Sequence, residues 1–81
     1  MIDYLELIAH NRQRAETLSV RPLNLKSKQE IGKALLCLHE AEVALRDPEF
    51  KTKASVGDIV NAKIGEAATR LSAVEKALGH P

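Results

Sequence analysis

The chain is poor in the residues that usually anchor a small fold. Aromatic side chains make up 2% of its 81 residues, Tyr4 and Phe50 with no tryptophan, so a core built on packed rings is excluded. The single cysteine, Cys37, cannot close a disulfide within the chain, which removes the stapled secreted scaffolds. Four glycines and three prolines are too few for a collagen-like or low-complexity chain. No segment approaches the roughly 20 apolar residues of a membrane span. The opening residues Met1 to Glu6 carry two acids where a signal peptide has positive charge, and a cytoplasmic location is expected. Twelve basic residues against eleven acidic ones leave a formal charge of +1, so nothing pulls the whole molecule toward nucleic acid or an anionic membrane.

What the chain does contain is helix-forming. Alanine and leucine supply 11 residues each, and apolar positions recur at helical spacing. Three helices are predicted, at about 3–18, 28–46 and 56–78, in one domain spanning 1–81. The first opens on Asp3 with Glu6 three residues on, a capping-box arrangement, with Ile2 and Leu7 placed as a hydrophobic staple. Its apolar rhythm of Tyr4, Ile8, Ala15 and Leu18 is interrupted by Asn11, and Arg21-Pro22 ends it. A second capping box, Ser27 to Glu30, is expected to open helix 2 after an eight-residue connector. Ile31, Leu35, Leu38 and Leu45 form its large apolar stripe, flanked by Ala34, Cys37, Ala41 and Ala44. Asp47-Pro48 stops it. Helix 3 is expected to begin at a Ser55–Asp58 cap, to carry its stripe from Val56 through Val60, Ile64, Ala67, Leu71 and Val74 to Leu78, and to end at Gly79. The fold class is therefore all-α: a small three-helix bundle, or a helical hairpin with an N-terminal packing helix, expected to associate into a larger helical bundle.

Helix 2 carries more apolar surface than such a bundle needs. Leu36 and Val43 stand about 120–140° from its main stripe at 100° per residue. Together with Gly32 and His39 they form a candidate protein interface, to a second copy or to another protein. The competing expectation is that the connector from Val20 to Leu25, or Phe50, folds over them. Small residues on helix 3 (Gly57, Gly65, Ala68, Ser72) suggest close helix approach, or else glycine tolerated on a solvent face at up to ~1 kcal/mol each.

Catalytic chemistry is hard to find. Cys37 and His39 diverge by about 200° on a helix and cannot share a metal ion, and neither CxxC nor HExxH occurs. No phosphate loop and no Ser–His–acid set is discernible. No catalytic, cofactor or metal site is assigned, and no small-molecule substrate is expected. The remaining candidate is electrostatic: Arg12, Arg14, Arg21, Lys26 and Lys28 face a single acid, Glu16, between residues 10 and 28. They suit an acidic protein surface or, as an alternative, nucleic acid. No aromatic is interleaved for base stacking, and a helix-turn-helix is not apparent.

In size, helicity and missing chemistry the chain resembles the small helical accessory proteins of bacteria and their phages. The resemblance implies an inhibitor, chaperone or antagonist and rests on no motif. The expectation is a non-enzymatic, homodimeric protein acting by protein–protein interaction, with a nucleic-acid-binding regulator as the alternative.

Overall fold

Asp3 starts the first helix in extended conformation, and its carboxylate accepts the Glu6 backbone N–H at 3.1 Å, the expected cap. The computed structural model describes residues 3–47 and 54–78. Within them α1 spans Tyr4–Ser19, α2 Leu25–Leu45 and α3 Ala54–Ala77, and no strand occurs among the described residues. The staple through Ile2, the Pro48 stop, the cover by Phe50, the capping side chain of Ser55 and the Gly79 terminus lie outside the described residues.

The start of α2 departs from expectation. Asn24, not Ser27, is its N-cap: the Asn24 side chain accepts the Ser27 N–H at 2.8 Å. Asparagine caps as well as serine does, and taking the earlier residue adds a turn. Ser27 becomes an interior residue that is buried, and Glu30 is released from capping to reach Arg70 at 2.8 Å. The connector shrinks accordingly to residues 20–24.

The three helices enclose one core. From α1 come Ile8, Ala15 and Leu18; from α2 Ile31, Ala34, Cys37, Leu38 and Ala41; from α3 Val60, Ile64, Ala67, Leu71 and Val74. Ala15, Ala34, Ala41 and Ala67 are all fully buried. Small side chains at these contacts bring the helix axes together, since interaxial distance follows the residues between them. That replaces the bulk the missing aromatics would have supplied. Leu35 does not join the core as expected; it sits on the margin, 37% exposed.

α2 and α3 run antiparallel. Glu30 pairs with Arg70, Cys37 with Glu66 and Glu40 with Lys63, so α3 numbers fall as α2 numbers rise. α1 is pinned to this hairpin by two arginines that leave it in different directions. Arg12 meets Glu42 at 3.0 Å near the C-terminal end of α2. Arg14 meets Glu75 at 2.6 Å near the C-terminal end of α3, and those ends lie at opposite extremes of an antiparallel pair.

Candidate protein-docking surface

The side of α2 turned away from the core carries apolar residues that no other described residue covers. Leu36 is 57% and Val43 55% exposed, Leu25 is 71% exposed, and Gly32 and His39 are exposed between them. The connector does not cover this face: Val20 is itself 84% exposed, and Leu23 packs on the core instead. Leu25, Gln29, Gly32, Leu36, His39 and Val43 are separated by alternating steps of four and three residues. That is the seam spacing of a coiled coil. At 1.5 Å per residue the seam is about 27 Å long and occupies an arc of about 80°. Leu25 and Gln29 extend the stripe beyond the four positions read from sequence. Leu25 was missed because the helix was expected to begin only at 28, and Gln29, inside that span, is polar and carries no apolar signal.

Gly32 is open to solvent, and no atom lies within 4 Å of where a Cβ would stand. A Cβ at Gly57 or Gly65 would likewise meet nothing within 4 Å, so those two glycines do not mark a close helix approach, and Gly65 is open to solvent.

The charges on α2 are divided by position. Its N-terminal part, 25–35, carries Lys26, Lys28 and Lys33 against Glu30, while 36–45 carries Glu40 and Glu42 with no lysine or arginine. The first turn holds no acid and the last no base. A helix has its positive dipole end at the N-terminus, so this distribution opposes the helix's own field.

The five-cation patch is not brought together as one surface. Arg12 is bound to Glu42, which also takes Arg46 at 2.8 Å. Arg12 and Arg46 together hold the Glu42 carboxyl below the usual carboxylate range, the Arg12 hydrogen bond foremost. Arg14 grips Glu75 through two nitrogens, at 2.6 and 3.4 Å, and also donates to Asn11 and Ser72. Buried Asn11 is the residue that sequence reading passed over as a break in rhythm. It accepts from Arg14 and donates to the Leu7 carbonyl at 2.9 Å, so both its ends are satisfied. Arg21, Lys26 and Lys28 remain exposed.

The face of the hairpin where α2 meets α3 carries a line of paired groups. Buried Cys37 donates to Glu66 at 2.6 Å, Arg70 lies between Glu30 and Glu66, and Lys63 binds Glu40 at 3.1 Å. These groups neutralise one another, and of them Glu30 also borders a groove of about 360 Å³ lined by Asn24, Lys26, Ser27, Ala73 and Ala77. A groove of about 610 Å³ lies between α1 and α3 and is lined by His10, Gln13, Thr17, Leu18, Arg21 and the Arg14–Glu75 pair. Its best-placed cation is already engaged. Among the described residues no group of three or more His, Cys, Asp and Glu could hold a metal ion. No helix among them is long and apolar enough to cross a membrane. Compared with protein-family models, curated proteins and solved structures, the chain matches none of them.

Proposed function

We propose that this protein works without catalysis, as a small cytoplasmic helical protein that binds protein through the outer face of α2. The observation that carries the reading is the exposed seam from Leu25 to Val43, along which Leu25, Leu36 and Val43 stand more than half exposed on a helix whose opposite face is buried in the core. An amphipathic helix with a second apolar face fits a partner helix laid along it. The nucleic-acid alternative is weakened by the ion pairs of Arg12 and Arg14, which leave Arg21, Lys26 and Lys28 to meet phosphates.

The test is substitution of Leu36→Glu with Val43→Glu. Both side chains are more than half exposed, so the variant is expected to keep its helical circular dichroism and melting temperature. A photo-crosslinking residue at Gln29 should join the parent chain to protein in solution, and the double substitution should reduce that yield at least tenfold. Equal yields from both chains would overturn the reading.

A further inference from the structure

We propose that the groove between the start of α2 and the end of α3 binds a small carboxylate that carries an aliphatic tail. Its volume, about 360 Å³, lies at the lower end of the range for ligand sites. Asn24, Lys26 and Ser27 line it from α2, and Ala73, Val74 and Ala77 line it from α3. One wall is therefore polar and the other is made of methyl groups. The site is separate from the outer face of α2, and its failure would leave the docking reading untouched.

Ser27 carries the inference. It opens the buried stripe that continues through Ile31, Ala34, Leu38 and Ala41, a position where packing alone calls for an apolar residue. Only 7% of its surface is exposed. Its backbone N–H goes to Asn24, and its hydroxyl has no hydrogen-bond partner among the described residues. A buried hydroxyl left without a partner is destabilising. This one is not sealed from solvent either, since among the described residues the fully enclosed side-chain atom without a partner is Arg70 Nε. The Ser27 Oγ thus opens onto the groove it lines, with buried Val74 beside it on the floor.

The surrounding groups favour a negative charge at that point. Asn24 caps through its oxygen, which leaves its Nδ2 without an acceptor among the described residues. It takes the N–H groups of Ser27 and Lys28, so those of Leu25 and Lys26 stay open at the positive end of the helix. No acid stands in the first turn of α2 to occupy them. Lys26 is exposed on the rim and makes no ion pair among the described residues. Glu30, one turn deeper, is already held by Arg70 at 2.8 Å, with Lys33 4.0 Å away. A carboxylate on Ser27 and Lys26 lays its tail across Val74, between Ala73 and Ala77, which are one turn apart. An alcohol leaves Lys26 unmatched, and inorganic phosphate has nothing to set against the alanines. The same chemistry is offered by a free aliphatic acid and by the C-terminus of a peptide that ends in an aliphatic residue.

The experiment is a titration of the isotope-labelled full chain, followed by its amide chemical shifts. The probes are hexanoate, butyrate, hexanol, inorganic phosphate, and a tetrapeptide ending in leucine as free acid or as amide. Hexanoate should give saturable shifts at residues 24–30 and 73–77, with a dissociation constant of about 1 mM. Butyrate should bind roughly fivefold or more weakly for want of two methylenes, and hexanol and phosphate at least tenfold more weakly. Ser27→Ala should weaken hexanoate at least fivefold and keep the parent's melting temperature, because its hydroxyl has no partner to lose. Ala73→Leu, at an exposed position, should fill the groove and abolish binding with unchanged circular dichroism. A free-acid peptide that binds at least tenfold more tightly than hexanoate, with its amide inactive, assigns the carboxylate to a protein C-terminus; a weaker one assigns it to a free acid. Undiminished hexanoate binding by Ser27→Ala, or a melting temperature several degrees lower in that variant, overturns the role of the hydroxyl. Phosphate as tight as hexanoate overturns the site, as does the absence of saturable shifts at those residues with acid and peptide up to about 20 mM.

Discussion

Cys37 has its chemistry decided by what surrounds it. The thiol is buried and donates to Glu66 at 2.6 Å. Burial first, and then the adjacent carboxylate, pushes its pKa above the ordinary thiol range. The folded chain therefore holds the thiol proton at a pH where the unfolded chain releases it. By linkage the contribution of this group is complete below the ordinary thiol range and is lost as pH rises through the shifted value. Denaturant unfolding measured from pH 7 to 10.5 should show an alkaline loss of stability that is smaller in Cys37→Ala. An equal loss in both chains would show that other groups cause it. Native Cys37 should also react with a thiol reagent at pH 8 at least tenfold more slowly than in the denatured chain. The sequence placed Cys37 on a small apolar stripe and so anticipated its burial. It offered no sign of Glu66, which lies 29 positions away and meets the thiol only because the hairpin closes. The same applies to Arg12 and Arg14. Read along the chain they belong to a basic run; their partners Glu42 and Glu75 are 30 and 61 positions distant.

At the scale of the elements, local signals sufficed for most boundaries. α1 begins at its predicted cap, because Asp3 and Glu6 interact within one turn and need no tertiary help. α2 begins a turn before its predicted cap, because two caps of similar strength compete and propensity alone does not rank them. Packing does: the earlier start buries Ser27 and seats Leu23 on the core. Asn24→Ala should therefore lower stability by about 1 kcal/mol, and Asn24→Ser should keep most of it. Urea unfolding followed by circular dichroism checks both, and a stability unchanged by Asn24→Ala would return the cap to Ser27.

For the whole molecule the small core leaves little margin. Stability of about 0.05–0.15 kcal/mol per residue implies roughly 4–12 kcal/mol for the chain. Leu38 and Leu71 are the largest fully buried side chains, and removing either leaves a cavity that alanine neighbours have no bulk to fill. Leu71→Ala should cost about 2–5 kcal/mol and leave a substantial unfolded fraction by 37 °C in a thermal melt. A cost under about 1 kcal/mol would mean that the hairpin collapses around the gap.

The sequence by itself determined that this chain forms three helices and which face of each is apolar, because both follow from periodicity and from caps made within a few residues. It also determined that α2 has apolar residues on two sides. Tertiary structure decided that the connector leaves the second of those sides exposed, because Leu23 packs on the core and Val20 turns to solvent. It also turned two arginines of the basic run into ties across the bundle. Contacts between residues 30 to 61 positions apart depend on how the helices pack, and a pattern of local spacing holds no record of that.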